Sequence, residues 1–271
     1  MAQISSPRNA LVRLVRALNT DRREREARGE AVIEGIRLTE EALAAGLTLS
    51  FFFYTAGLLE KERGRRLVER LAAAGVQGFE VTEEVLERVA DTETPQGILA
   101  VCAIPRHRPE ALPPGLVVVA DGIQDPGNLG TLVRGTEALG GAGVAVGGQT
   151  VDPWSPKVIR ASMGSLFRLP VVTAKATGPL LEALASRGFR VVTADPGGRR
   201  LPWEVDWSGP VALVIGSEAA GPSPAARALA AETVRIPMVG PTESLNAGVA
   251  GSLLLYEALR QRQAPGGRPV Q

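Results

Sequence analysis

Apolar and polar positions along this chain follow two different rhythms, and the change of rhythm divides it. Leu11, Leu14, Val15 and Leu18 fall on one face of a helical pitch, with Ser6 read as its N-cap and Pro7 as its first helical residue. The other face and the next turns carry Arg8, Arg13, Arg16, Arg22, Arg23, Arg25 and Arg28, interrupted by Asp21, Glu24 and Glu26. Mixed signs leave an RNA-grasping arm and a solvated helix face as equal readings. From Ala31 to Ile104 short pieces alternate: an amphipathic run near Ile36 to Ala45, an apolar Leu49 to Tyr54, a helix near Gly64 to Ala74, then Gly78 to Val81 and a closing strand Ile98 to Ala103. This is a small α/β unit, just large enough to hold its own core. Phe51, Phe52, Phe53 and Tyr54 could stack bases, but neighbours on a strand point to opposite faces, so core packing is the preferred reading for most.

Pro105, Pro109, Pro113, Pro114 and Gly115 then crowd together with charged residues between them, which suits an exposed, semi-rigid linker over residues 105–115. Beyond it the rhythm changes. Apolar runs at Leu116 to Ala120, Gly143 to Val146, Leu169 to Val172, Phe189 to Ala194, Val211 to Ile215 and Val234 to Met238 are separated by helical segments or glycine-rich turns, as buried strands of a mostly parallel sheet are. A last helix is predicted from Leu245 to Arg262. The expected organisation is a small α/β domain over 1–104, the linker, a larger α/β domain over 116–262, and a disordered tail over 263–271.

Composition narrows the chemistry. A chain of 271 residues, 45% hydrophobic and 22% charged, is built to fold. It has no apolar run long enough to span a bilayer, and its first residues lead directly into an arginine-bearing helical pattern, so the expected location is the cytoplasm, with no membrane role. Cys102 and His107 are the single cysteine and histidine, which excludes a disulfide framework, a multi-cysteine zinc site and paired-histidine zinc chemistry; no metal is expected. Net charge is +1, so any RNA site must be a local patch. The basic residues are nearly all arginine, with lysine only at Lys61, Lys157 and Lys175; a genomic compositional bias is preferred over bidentate phosphate recognition as the reason.

The informative feature is a set of three glycine- and polar-rich turns, each placed where a strand run ends. The first runs from Asp121 through Asp125-Pro126-Gly127-Asn128-Leu129-Gly130 into a helix bearing Arg134. The second is Gly216-Ser217-Glu218-Ala219-Ala220-Gly221. The third, Pro241-Thr242-Glu243-Ser244-Leu245-Asn246, opens the final helix. Ligands of open α/β sheets bind outside the carboxyl ends of strands, so one crevice shared by all three is the economical reading. Asn128, Arg134, Glu218, Ser244 and Asn246 are costly to bury unpaired, although Asn and Ser also serve as ordinary helix caps. No Gly-Lys pair occurs, which removes a Walker A loop, and Gly141-x-Gly143 lacks the third glycine of a dinucleotide fingerprint.

In this order the turns resemble the three motifs of the TrmH/SpoU family of knotted SPOUT methyltransferases: Asp125-Pro126 with Asn128-Leu129-Gly130 and Arg134; Gly216-Ser217-Glu218 with Gly221; Ile236-Pro237-Met238 with Ser244-Leu245-Asn246 and Ala250. Lys157-Val158 through Ala161-Ser162-Met163-Gly164, then Leu169-Pro170-Val171, is similar to a further family segment. Ala219-Ala220, Pro222 and Ala247-Gly248 depart from the common pattern and bear on loop shape and substrate choice. The resemblance implies a trefoil-knotted catalytic domain, a topology that general folding rules would reject. It also implies S-adenosylmethionine bent against Ala194, Gly216, Ile236, Met238 and Leu245, a homodimer formed through the knotted region, and an N-terminal domain that binds substrate RNA, ribosomal RNA in preference to transfer RNA.

The implied reaction moves a methyl group to a ribose 2'-hydroxyl by in-line displacement, in which positioning supplies much of the rate. With no histidine or cysteine in the turns, Glu218 and Arg134 are the candidates for handling the hydroxyl proton. The family's usual assignment gives it to the motif-one arginine, here Arg134. A guanidinium stays protonated, so Arg134 is read instead as clamping the phosphate beside the target ribose and stabilising the developing oxyanion, with the proton leaving through phosphate, solvent or Glu218. Asn128, Ser244 and Asn246 are assigned to holding the arginine, the ribose and the turn geometry. A base methyltransferase of the same superfamily and a non-catalytic RNA-binding factor are the alternatives.

Overall fold

A computed structural model describes residues 3–241 and 244–263. Thr242 and Glu243 of the third turn, and the tail expected to be disordered from residue 264 on, lie outside the described residues. The chain forms two compact units, the first holding the residues up to Pro105 together with Trp154–Phe167, the second holding Arg106–Pro153 and the chain from Arg168 on.

In the first unit the leading helices are α1 (Ala10–Thr20) and α2 (Arg22–Arg28). The N-cap of α1 is Asn9, whose side chain accepts from the Leu11 amide; Ser6 and Pro7 form the turn before it, where the Ser6 hydroxyl accepts from the Arg8 amide. There follow β1 (Glu30–Glu34), α3 (Ile36–Ala44), β2 (Leu49–Tyr54), α4 (Ala56–Leu59), α5 (Glu62–Ala73), β3 (Gln77–Glu80), α6 (Glu83–Val89) and β4 (Ile98–Ala103). The sheet is mixed, ordered β1-β4-β2-β3, with β2 and β3 parallel and the other pairs antiparallel. Strand β2 is interior, which explains why Phe51, Phe52 and Phe53 are all buried: the first and third join the layer of Val12, Val15, Leu18 and Val85, and Phe52 faces the other side. Core packing is therefore what the aromatic run does. Cys102 is fully buried in β4, and desolvation pushes its thiol up to about 12, so it is no nucleophile near neutrality. The arginine-rich stretch divides: Arg22 and Arg28 pair with Glu26 and Glu24, and Arg25 is buried with its guanidinium on the Leu18 carbonyl, whereas Arg13 and Arg16 stay exposed on α1.

The second unit begins earlier than its strands. Instead of a wholly exposed linker, residues 106–115 hold a 3-10 turn at Pro109–Ala111 and bury Leu112 completely, with Arg187 donating to the Pro109 and Leu112 carbonyls. Then come β5 (Leu116–Asp121), α7 (Pro126–Ala138) and β6 (Gly143–Gly147). The stretch Trp154–Phe167, read from sequence as part of the larger domain, groups with the first unit, its helix α8 (Pro156–Ser162) lying against β1. The chain resumes with β7 (Val171–Thr173), α9 (Thr177–Ser186), β8 (Arg190–Ala194), β9 (Val211–Gly216), α10 (Pro224–Leu229), β10 (Glu232–Val234) and α11 (Ala247–Gln263). All six strands are parallel in the order β10-β8-β9-β5-β6-β7, with fully buried valine-rich interiors in β5 and β9. The predicted strand at Val234 to Met238 ends at Val234. Strand β10 is an edge strand, and Pro237 has no amide hydrogen to extend a ladder. The order reverses between β5 and β9, where Asp121 stands opposite Gly216 in register. That switch point puts the ends of both strands beside one another, where open sheets bind ligands.

Candidate active site

Helix α7 starts at the end of β5 with Asp125 as N-cap, its carboxylate accepting the Asn128 amide at 2.8 Å, and Pro126 at the first helical position. Asn128, 9% exposed, donates its Nδ2 to Glu218 Oε1 at 2.6 Å and accepts from Asn246 Nδ2 at 2.7 Å. One hydrogen-bonded row therefore joins three stretches that lie 90 and 118 residues apart along the chain. Asn246 also caps α11, its Oδ1 accepting the Val249 amide at 3.2 Å, so the same side chain serves as helix cap and as the end of this row.

The turn after β9 is folded back on itself. Ser217 and Gly221 exchange backbone hydrogen bonds at 3.1 and 2.8 Å, and the Ser217 hydroxyl accepts the amides of Ala219 and Ala220. Gly216 has no room for a side chain: a Cβ there would sit 2.2 Å from the Pro222 nitrogen and 2.3 Å from the Gly221 carbonyl carbon. The turn is anchored by Asp121, which is 3% exposed; one carboxylate oxygen accepts the Thr177 hydroxyl and the other the Ser223 amide at 2.7 Å.

Beside this turn lies a cavity of about 470 Å³. Every residue expected to touch a cofactor lines it: Ala194 at the end of β8, Gly216 at the end of β9, and Ile236, Met238 and Leu245 from the segment between β10 and α11. Glu218 and Ser244 line it too, as do Asp195 and Arg227, an ion pair that the sequence reading did not single out. Apolar walls with a few carboxylates and many small residues suit a flat, partly apolar, cationic ligand, and the volume falls within the range of small-molecule sites. Among the described residues no cluster of His, Cys, Asp and Glu could hold a metal, and no helix is long and apolar enough to cross a membrane.

Arg134 is not brought to this cavity. It stands exposed on α7, six positions after Asn128, which rotates it about 120° around the helix from that residue. Motif membership grouped it with the others; helical phase separates it within one chain.

Comparison with known proteins shows the family. Residues 115–256 match the SpoU rRNA Methylase family and residues 9–100 match the MRM3-like substrate binding domain. The chain belongs to the SpoU rRNA methylase family. It is 33% identical to the 23S rRNA (uridine(2479)-2'-O)-methyltransferase of Streptomyces viridochromogenes, covering 94% of this chain and 91% of that one. To the 23S rRNA (guanosine(2553)-2'-O)-methyltransferase RlmP of Bacillus subtilis it is also 33% identical, covering 94% and 98%. The crystal structure of the SpoU methyltransferase AviRb from Streptomyces viridochromogenes in complex with the cofactor AdoMet superposes with a TM-score of 0.85 at 31% identity, covering 95% of this chain and all of that one.

Proposed function

We propose that this protein transfers a methyl group from S-adenosylmethionine to a ribose 2'-hydroxyl of ribosomal RNA in the cytoplasm. The observation that carries the reading is the Glu218–Asn128–Asn246 row at the edge of a cavity whose walls include all five residues expected to meet the cofactor. S-adenosylmethionine, when bound, supplies an electrophilic methyl group, and Ala194, Gly216, Ile236, Met238 and Leu245 are the residues that would hold it.

The remaining work falls to the chain. Asn128 fixes one oxygen of Glu218; the other has no partner among the described residues and is available to accept the hydroxyl proton as the oxygen attacks. Ser244, at the cavity wall, is assigned to the ribose, and Asn246 to holding Asn128. Arg134 clamps the neighbouring phosphate and stabilises the developing oxyanion. Because it stands outside the cavity of its own chain, we assign it to the cavity of a second copy.

A homodimer supplies that copy. Val249, Leu253 and Tyr256 form an exposed apolar stripe on α11, at 47, 47 and 60% exposure, on the helix that packs against α7. The pairing surface is this stripe, in the region that the family resemblance describes as knotted. The two rRNA relatives act on different nucleosides, uridine and guanosine, yet share the ribose 2'-oxygen as target, which favours ribose over base chemistry here.

The test is methylation of unmodified 23S rRNA transcript with methyl-labelled S-adenosylmethionine, followed by alkaline hydrolysis. The label is expected in alkali-resistant dinucleotides, since a 2'-O-methyl removes the hydroxyl that cleaves the backbone. Label recovered in methylated-base mononucleotides would replace this reading with base methylation.

A further inference from the structure

With an overall charge of only +1, RNA must be held by local basic patches, so the catalytic unit needs one to seat the RNA backbone. A second cavity, of about 460 Å³, lies at the outer edge of the six-stranded sheet and is lined by Arg199, Arg200, Arg227, Glu232 and Thr233 together with Ala230 and Ala231. Arg227 lines both cavities, so the two share a wall.

The acids near this cavity are already engaged. Glu232 is paired with Arg190 at 2.6 Å, and Asp195 with Arg227. Arg199 and Arg200, both exposed, have no carboxylate partner among the described residues. This differs from arginines such as Arg22, Arg66, Arg88 and Arg260, each paired with a glutamate three or four positions away. Nor are Arg199 and Arg200 carried on a loose loop. The Arg199 amide donates to the Thr233 hydroxyl, the Arg200 amide to the Thr233 carbonyl at 3.1 Å, and the Arg200 carbonyl accepts the Arg235 amide at 2.9 Å. Gly198 lets these backbones approach so closely that a Cβ there would lie 2.6 Å from the Val234 carbonyl carbon. Two guanidiniums with no carboxylate partner among the described residues are thus mounted on a fixed backbone, one shared wall away from the cofactor cavity.

We propose that Arg199 and Arg200 form a phosphodiester-binding site for the RNA strand flanking the target nucleotide. The proposal rests on the RNA-methylating reading above and adds the place on the catalytic unit where the strand is held. Guanidinium forks match phosphate oxygens in paired hydrogen bonds, and the bound strand releases condensed counterions as it docks.

The test uses the full chain, the Arg199→Ala/Arg200→Ala double variant and the Arg199→Lys/Arg200→Lys pair. Arg227 is left intact because it also lines the cofactor cavity. Binding of a 23S rRNA transcript is measured by fluorescence anisotropy across a salt series. The alanine pair should bind about tenfold more weakly, with the log–log salt slope shallower by about 1 to 2, while its affinity for S-adenosylmethionine stays within about twofold of wild type. The lysine pair should keep most of the slope, since it keeps both charges. An alanine pair with wild-type affinity and slope overturns the site; so does a lysine pair as weak as the alanine pair. Loss of binding to anionic phosphatidylserine vesicles with rRNA binding unchanged would also overturn it, by reassigning the patch to a membrane surface. The anisotropy is read without turnover, so failure of the ribose-methylation reading in the hydrolysis assay leaves this result separate.

Discussion

Asp121 shows what a single residue does here that motif reading did not reveal. It ends an apolar run and opens a turn, but its partners, Thr177 and Ser223, lie 56 and 102 residues away, and no local pattern announces them. Asp121→Ala removes the acceptor of a part-buried amide and frees the turn that carries Glu218, so it should cost about 1–3 kcal/mol of stability and weaken S-adenosylmethionine binding. Asp121→Asn should retain most of both, because the Thr177 hydroxyl can rotate to accept from the new amide while the remaining oxygen accepts from Ser223. Thermal melts and calorimetry of the two variants check this; an alanine variant with wild-type melting and affinity would remove the anchoring role. Asn128, Glu218 and Asn246 were legible because polar residues in glycine-rich turns at strand ends have few uses other than capping and ligand contact. Arg134 was legible as a motif residue but not as one that faces away from the cavity, since its separation from Asn128 is a matter of helical phase that the motif does not express.

At the scale of elements, the buried parallel strands were the easiest to read, because continuous valine-rich runs between glycines have few other uses. Strand β1 was missed: Ala31, Val32 and Ile33 make a very short run between an arginine-rich helix and Gly35. The end of β10 was overextended because the sequence does not show which strand stands at the edge. Helix α11 hides its role in another way. It buries Gly248, Gly251, Leu254 and Leu255 and exposes Val249, Leu253 and Tyr256, so apolar residues surround it and no single stripe stands out. Close approach to α7 depends on Gly251, where a Cβ would lie 2.2 Å from the Leu132 side chain. Leu253→Asp is exposed in the single chain and should leave the fold intact while splitting the dimer. Sedimentation velocity should then show a monomer, with wild type expected to sediment as the proposed dimer; a variant that still sediments as a dimer would move the interface elsewhere.

Within the whole molecule, three separated stretches of one chain meet in the Glu218–Asn128–Asn246 row, and the proposed dimer would add Arg134 from a second. If Arg134 serves the second copy, Arg134→Ala and Gly216→Ala proteins, each inactive alone, should regain about a quarter of wild-type turnover when mixed and allowed to exchange subunits, because half the dimers then carry one complete site. Absence of any recovery would place the arginine's action within its own chain. The methyl donor's pocket is built by the ends of β8 and β9, the turn after β9 and the segment before α11, with the turn after β5 bracing Glu218 through Asn128, and calorimetric titration with S-adenosylmethionine is its sharpest test. Wild-type protein should take up one equivalent per chain, and Arg134→Ala should bind nearly as well. Gly216→Ala, folded by its melting profile but with its turn displaced, should bind on the order of a hundredfold more weakly. A Gly216→Ala protein that binds as tightly as wild type, or a wild-type chain that gives no binding heat, would mean that the methyl donor does not sit in this pocket.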